Sequence, residues 1–171
     1  MKIYVMTDSH LGHKKLLEYG GRSTDFTRQV LDGVHKVQGD ILIHLGDVCI
    51  GNDWQHHTDL LVRAKSRFKK VILVRGNHDG KSDNWYYDIG WDFVCRSFTG
   101  KYFGKKVLFT HIPLPMEHDY RTDFNVHGHL HGGGVNSHRI DDIPEYDDMF
   151  HIDVAPEIHG YTPVELKKLI S

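Results

Sequence analysis

Four short apolar runs in this chain each stop abruptly at polar residues, and this pattern constrains the fold more than any other feature. The runs are Lys2–Thr7, Asp40–Leu45, Lys70–Val74 and Lys105–Thr110. They are rich in β-branched residues and almost continuously apolar, which is typical of strands buried on both faces. None continues with the spacing of an amphipathic helix. The sequence therefore predicts that these runs are central strands of a sheet.

Two helix-like segments alternate with the first three runs. In the first, Thr24 is a candidate N-cap, and apolar residues follow it at three- and four-residue spacing from Phe26 to Val37. In the second, residues 54–68 place apolar side chains on one face and Lys and Arg on the other. This alternation of strands and helices predicts the crossover connections of an α/β fold.

The second half of the chain follows another pattern. After residue 90, strand-like pieces joined by Gly-rich turns lie at 91–103, 105–110, 125–127 and 150–154. A last helix is expected to begin near Thr162. We therefore predict an α/β (α+β) architecture of mixed sheets flanked by helices, in which two packed sheets are one arrangement that fits.

Length and composition limit the classes of protein that remain. At 171 residues the chain is close to the size of one ordinary domain, so we expect a single domain over residues 1–171. No apolar run approaches the roughly 20 residues of a membrane span, and the first run lacks the features of a signal peptide. We therefore expect neither membrane insertion nor export.

Charge and cysteine content bear on the partners and the compartment. Lys and Arg number 21 and Asp and Glu 23, so the net charge of −2 does not indicate nucleic-acid binding, although a local basic patch would permit it. Cys49 and Cys95 allow at most one disulfide, and we expect a reducing, cytoplasmic environment. The sequence does not specify an oligomeric state.

Histidine is in clear excess, with 15 copies among 171 residues. Much of this excess falls directly after the strand runs, together with Asp and Asn. The segments are Asp8-Ser9-His10, Gly46-Asp47, Gly76-Asn77-His78-Asp79, His111 and Gly128-His129-Leu130-His131. In open α/β sheets, ligands bind in the crevice beyond the carboxyl ends of the strands. We therefore expect these loops to bring Asp, His and Asn to one rim.

The spacing within these segments suits metal binding. In Asp8-x-His10 and His129-x-His131, side chains that alternate along an extended chain would leave on the same side. Each segment alone is also typical of a turn or helix cap, but their ordered arrival behind strand runs favours metal chemistry. Carboxylate, amide and imidazole ligands suit Mn, Fe, Ni or Zn better than Ca or Mg.

The ordered motifs resemble those of the calcineurin-like metallophosphoesterase superfamily. The resemblance covers nearly the whole chain, which is most similar to small bacterial and phage phosphoesterases that open with Asp-x-His-x-Gly-His, here residues 8–13. The resemblance implies a four-layer sandwich in which two mixed β-sheets pack face to face with helices outside. It also implies a centre of two divalent metal ions, Mn in the first place and Fe, Ni or Zn as alternatives.

The resemblance further implies a role for each motif residue. One metal ion would be held by Asp8, His10, Asp47 and His131, and the other by Asp47, Asn77, His111 and His129. Asp47 would bridge the two ions and so take part in catalysis. His78 would face the phosphate without binding metal and would protonate the leaving oxygen. Asp79 would either orient His78 or be only a turn residue.

The implied activity is hydrolysis of a phosphate ester by a water that two metal ions activate. The Asp-Arg-Gly element of the protein-phosphatase branch is missing, because Val48 and Cys49 follow Asp47, and a protein phosphatase is therefore disfavoured. We expect a phosphodiester or nucleotide-like substrate, since binding of a monoester dianion usually requires an additional Arg clamp. The alternatives are a phosphomonoesterase and a noncatalytic metal-binding scaffold on the same fold.

The remaining histidines and several arginines have simpler expected roles. His44, inside a strand run, is expected to be a hydrogen-bonded core residue. His13 and His127 lie beside motifs and either orient ligands or take no part in the site. Solvent exposure is expected for His35, His56, His57, His138 and His159. Candidates for phosphate contacts, with solvent exposure as the simpler expectation, are Arg22, Arg75, His118 and Arg121.

Overall fold

The computed structural model of the chain describes residues 1–18, 22–115, 121–131, 147 and 149–171, so His118 and His138 lie outside it. The strands are β1 (Ile3–Met6), β2 (Gly39–His44), β3 (Phe68–Val74), β4 (Phe93–Cys95), β5 (Ser97–Tyr102), β6 (Lys105–Thr110), β7 (Phe124–His127), β8 (His151–Asp153) and β9 (Val164–Glu165). The helices are α1 (Lys15–Glu18), α2 (Phe26–Lys36), α3 (Asp53–Arg67), α4 (Asp83–Ile89) and α5 (Leu166–Ile170).

The first sheet contains the predicted α/β crossovers. Its strand order is β4-β3-β2-β1-β9. Strands β1 to β4 run parallel, with Ile3 opposite Ile41 and Ile43 opposite Ile72, whereas β9 is antiparallel to β1. Because the parallel strands share one direction, the loops after β1, β2 and β3 leave at the same edge of the sheet.

The second sheet is also mixed, with the order β5-β6-β7-β8. The hairpin pair β5 and β6 is antiparallel, and β6, β7 and β8 run parallel. The predicted fold class is therefore confirmed: two mixed sheets pack together and helices flank them. Among the described residues, no helix is long and apolar enough to cross a membrane.

The apolar core has two parts, one on each face of the first sheet. Tyr4 and Met6 of β1 face the helices and pack in a cluster with Val30 of α2 and Leu60 of α3. The alternate residues of β1 belong to a second cluster that joins the two sheets and includes Phe109 of β6. Successive side chains of a strand point to opposite faces, so a continuously apolar β1 is what a strand covered on both faces requires.

Local features depart from the sequence-based expectations at several helix ends. Helix α2 starts one residue later than predicted, with Asp25 at the N-cap, and α5 follows strand β9 instead of starting near Thr162. Helix α4 was not predicted at all. It has seven residues, only Tyr86 is buried, and its signals are local: Ser82 accepts a hydrogen bond from the Trp85 amide, and Gly90 ends the helix in a left-handed conformation.

Candidate metal centre

Loops from both sheets meet at one rim. Within the first sheet, the Asp8 amide donates to the Gly46 carbonyl and the His10 amide to the Asp47 carbonyl, each at 2.9 Å. Between the sheets, the His129 amide donates to Asp8 Oδ2 at 2.8 Å. These hydrogen bonds therefore hold Asp8, His10 and His129 at the rim in the absence of a metal ion.

The motif residues reach this rim through an unusual backbone. The residues with positive φ include Asp8, His10, Asp47, His129 and His131, with φ values from 42° to 72°. A non-glycine residue in this left-handed region costs on the order of 1–3 kcal/mol and persists only where the surrounding structure holds it. The expectation that Asp8-x-His10 and His129-x-His131 are extended is therefore wrong. Asp8 Oδ1 still lies 3.5 Å from His10 Nε2, whereas His129 and His131 belong to two different clusters of potential ligands.

Two glycines allow the loops to lie close to the acidic side chains. A Cβ atom on Gly128 would overlap Thr7 Oγ1 and Asp8 Oδ2, and one on Gly76 would overlap Asp47 Oδ1. Any other residue would force one of these carboxylates out of place. Both glycines are thus required by close approach.

The described residues form two groups of potential metal ligands. The first group is Asp8, His10 and His131, and the second is Asp47, His111 and His129; within each group the ligand atoms lie within 4.8 Å of one another. In the first group, Asp8 Oδ1 is 3.5 Å from His10 Nε2 and 3.6 Å from His131 Nε2. One carboxylate with two imidazoles is a donor set that suits a borderline divalent cation.

Asp47 lies between the two groups. Its Oδ2 atom is 3.6 Å from His10 Nε2 of the first group and 3.3 Å from His111 Nε2 of the second. Its Oδ1 atom instead accepts a hydrogen bond from the His78 amide at 2.8 Å. The same carboxylate therefore borders both groups while its orientation is held by the backbone.

Buried polar atoms without hydrogen-bond partners support the fit to metal. Within the described part of the chain, Asp8 Oδ1 and both ring nitrogens of His10 are buried and make no hydrogen bond. Leaving such atoms unpaired costs about 1–3 kcal/mol each. A cation bound by Asp8 Oδ1 and a His10 nitrogen would remove part of this cost, so the first group fits a metal ion.

The exposed Asn77 lies beside the second group. Asn77 Oδ1 lies 3.0 Å from His111 Nε2, and His129 Nδ1 lies 3.2 Å from the same atom. The other nitrogen of His111, Nδ1, is 2.7 Å from the Leu45 carbonyl, to which it donates. This bond occupies Nδ1, so Nε2 is the His111 atom that would bind a cation.

The electrostatics of the rim keep its carboxylates ionised. Burial acts to raise the pKa of Asp8, but the nearby imidazoles of His111, His10 and His131 outweigh it and hold the pKa well below its ordinary value. For His111 burial acts to lower the pKa, and the carboxylates of Asp8 and Asp47 raise it to about 9. Without cations, a protonated His111 offsets part of the carboxylate charge.

His78 and Asp79 follow Asn77 in the same loop but differ in environment. The His78 side chain is 45% exposed, with Nε2 at 3.8 Å from Asp47 Oδ2. Asp79 is buried, and its carboxylate accepts hydrogen bonds from the amides of Asp47, Val48 and Gly76. Asp79 therefore links the loops that follow β2 and β3. It makes no hydrogen bond to the His78 ring, so the structure does not show it orienting that side chain.

Two arginines that were expected to be exposed instead donate hydrogen bonds to oxygen atoms of the protein. Arg22 donates to the carbonyls of Asp8 and Ser9 and to the carboxylate of Glu157. Arg75 donates to the Asp79 carbonyl and to Asp83. Arg121 is exposed, as expected. Glu157 is a site neighbour that sequence reasoning missed, because it lies in a late turn with no motif around it.

Three histidines outside the two ligand clusters, His44, His57 and His127, are also buried. His44 is a hydrogen-bonded core residue as predicted, with Nε2 at 2.7 Å from Ser9 Oγ, and burial lowers its pKa to about 3. His57 was expected in solvent, and this was wrong: it is 2% exposed and accepts a hydrogen bond from Trp91 Nε1 at 3.0 Å. His127 is buried with Nδ1 beside the Gly128 carbonyl, which ties the turn before His129. The partly buried His13 ring lies 5.4 Å from that of His10.

A cleft lies beside the second group of potential metal ligands. Its volume is about 330 Å³. The lining residues are Arg75, Gly76, Asn77, Arg96, Ser97, Thr110, His111, Ile112 and Leu114. The cleft therefore joins the candidate ligands Asn77 and His111 to a surface that carries one exposed guanidinium and apolar side chains.

The order of these motifs matches a known family. The sequence profile of calcineurin-like phosphoesterases matches residues 1–160. The chain belongs to this family. Members of the family use a dinuclear metal centre, and the two ligand groups at the rim are the candidate for it. The family also implies a phosphate ester as substrate.

Individual relatives are distant. An uncharacterized protein of Methanocaldococcus jannaschii is 23% identical over 179 residues, which cover 99% of this chain and 89% of that protein. A protein of unknown function from Aquifex aeolicus, whose crystal structure is known, is 24% identical in sequence. The two structures match with a TM-score of 0.71 over 98% of this chain and 96% of that chain. An archaeal phosphodiesterase is 20% identical, with a TM-score of 0.49 and coverage of 91% and 84%. At these identities the first structure shows a shared fold and does not transfer an activity.

Proposed function

We propose that this protein is a dinuclear metal-dependent phosphodiesterase. The observation that supports the proposal best is the position of Asp47, whose Oδ2 atom lies 3.6 Å from His10 Nε2 and 3.3 Å from His111 Nε2. A carboxylate between two ligand groups is suited to bridging two cations. Manganese is the first choice, with Fe, Ni or Zn as alternatives, and a cytoplasmic location remains a prediction from the sequence.

The ligand assignment follows the two groups. Asp8, His10, Asp47 and His131 would hold one ion, and Asp47, Asn77, His111 and His129 the other. When bound, the two ions would neutralise phosphoryl oxygens and lower the pKa of an attacking water. The chain itself supplies a rim that is already ordered, because backbone bonds hold the loops of Asp8 and Asp47 together.

The position of His78 supports a role for it on the leaving group. Its amide donates to Asp47 Oδ1, which fixes the backbone at the edge of the site, while its ring is half exposed and borders Asp47 Oδ2 at 3.8 Å. An imidazole at such a position reaches a substrate that enters from solvent. We assign to it the donation of a proton to the departing oxygen.

The arginines support a preference for diesters over monoesters. Binding of a monoester dianion usually requires forked guanidinium donors near the phosphate, and the Arg22 and Arg75 side chains already donate to protein oxygens. The cleft beside Asn77 and His111 has room for a substituent next to the phosphorus. A diester, with one negative charge and two substituents, fits these features better.

The test compares two chromogenic esters under the same metal loading. Bis-p-nitrophenyl phosphate should show the higher kcat/KM, and p-nitrophenyl phosphate the lower, with manganese bound at two ions per chain. A clear reversal would assign a monoesterase. A protein that binds two ions and hydrolyses neither ester would support the noncatalytic scaffold instead.

Arg96 provides a matched check on this reasoning, because its exposed guanidinium lines the cleft. Arg96→Ala should leave the order of the two esters unchanged if no arginine clamps the substrate. A selective loss of monoester turnover in this variant would identify Arg96 as a dianion clamp and contradict the argument for diesters.

A further inference from the structure

A buried arginine and a glutamate lie behind His131 of the first ligand group. Arg22 precedes α2 and Glu157 follows β8, so the three residues come from separate parts of the chain. The Arg22 side chain is 0% exposed and that of Glu157 is 16% exposed. Each charged group would be costly to bury alone, and the pair compensates charge at 2.8 Å from Arg22 Nε to Glu157 Oε1.

Glu157 determines which nitrogen of His131 carries a proton. Glu157 Oε1 lies 2.9 Å from His131 Nδ1, whereas Arg22 Nη2 lies at 3.4 Å from that atom. A carboxylate only accepts hydrogen bonds and a guanidinium only donates them. The shorter contact therefore requires a proton on Nδ1, and Nε2, 3.6 Å from Asp8 Oδ1, is then the nitrogen that would bind a cation.

Arg22 also holds the opposite side of the first group. Its Nη2 donates to the Asp8 carbonyl at 2.6 Å and its Nη1 to the Ser9 carbonyl at 3.1 Å. Asp8 has a φ of 47°, so its backbone needs such support to remain left-handed. One guanidinium thus contacts both the loop that carries Asp8 and the glutamate that contacts His131.

We propose that Glu157 and Arg22 are positioning residues of the first ligand group. Glu157 fixes the tautomer and ring orientation of His131, and Arg22 fixes Glu157 relative to Asp8. Neither side chain is placed to touch substrate. This proposal rests on the proposed function, because it takes the first group to be a metal site.

Manganese titration of the metal-free protein by calorimetry tests the assignment. The wild-type protein should bind two ions. Glu157→Gln should weaken one of them by about 10- to 100-fold and leave the other unchanged. Arg22→Lys keeps the buried positive charge but lacks the fork, so it should weaken the same ion, and it serves if Glu157→Gln fails to fold. Glu165→Gln removes a carboxylate far from the site, beside Lys2, and should bind both ions as the wild type does.

Nitrogen-15 NMR of the zinc-loaded protein gives a second readout that does not depend on turnover. His131 should carry its proton on Nδ1 in the wild type, and this proton should exchange faster with solvent in Glu157→Gln. Wild-type affinity for both ions in the folded variants, or a proton on Nε2, would overturn the positioning role alone. A wild-type protein that binds fewer than two ions would instead overturn the proposed function.

Discussion

Asp79 joins the loops that follow β2 and β3, and its replacement should cost the folded state substantially. The carboxylate is 4% exposed and accepts from the amides of Asp47 at 2.8 Å, Gly76 at 2.8 Å and Val48 at 3.2 Å. Asp79→Ala leaves these donors without their acceptor, and each unpaired buried donor costs about 1–3 kcal/mol. Burial of the Asp79 carboxylate raises its pKa, which shows that the charged group is poorly solvated. Removing the carboxylate therefore recovers part of this desolvation cost. We expect a net loss of about 3–5 kcal/mol in the free energy of unfolding.

Urea denaturation of the metal-free protein measures this loss without a contribution from metal binding. Asp79→Asn keeps one acceptor oxygen and should lose about half as much, with an unchanged m-value in both variants. Asp83→Ala is the matched control, because the Asp83 side chain is 55% exposed and pairs with Arg75 at the surface. It should lose less than about 1 kcal/mol.

Equal losses for Asp79→Ala and Asp83→Ala would refute the tie between the loops. Since Asp47 is one of the residues held, Asp79→Ala should also weaken metal binding. Normal stability and metal content combined with slow turnover would assign Asp79 to orienting His78 instead.

Three further predictions concern the rim and the core. Asp47→Ala should lose both bound metal ions and all activity, whereas His10→Ala should lose one ion; metal analysis showing equal losses would contradict a bridging Asp47. His78→Ala should retain both ions and turn over about 10²–10⁴-fold more slowly, less so for esters with good leaving groups, and loss of metal would make it a ligand. Burial lowers the pKa of His57 to about 4, although the nearby Asp53 carboxylate acts to raise it. The imidazole is therefore protonated below about pH 6.5 in the unfolded chain but only near pH 4 in the folded protein. His57 should therefore cost about 3 kcal/mol of stability between pH 7 and pH 4. Urea denaturation at several pH values should show that His57→Gln loses less stability than the wild type between pH 7 and pH 4. An equal loss in the two proteins would contradict the burial effect.

The strands and the motif residues could be predicted from the sequence because their signals are local. A strand buried on both faces must be apolar at consecutive positions, and β1, β2, β3 and β6 show this within a few residues of their observed ends. The polar segments after these strands were found for the same reason, since the direction of a parallel strand determines the edge at which its loop emerges. The short α4 was missed because its seven residues bury a single side chain.

What the sequence determined by itself is which residue types stand at the carboxyl ends of the strands, and hence the prediction that Asp8, His10, Asp47, Asn77, His111, His129 and His131 face one rim. The tertiary structure decided how they converge, because the left-handed backbone of Asp8 and His129 is held by bonds from distant parts of the chain. It also decided that Arg22 and Glu157 lie behind His131 and that His57 is buried against Trp91. Contacts of this kind join residues far apart in the chain, and no local pattern records them, since a charged or imidazole side chain is exposed or buried according to the partners that folding brings to it.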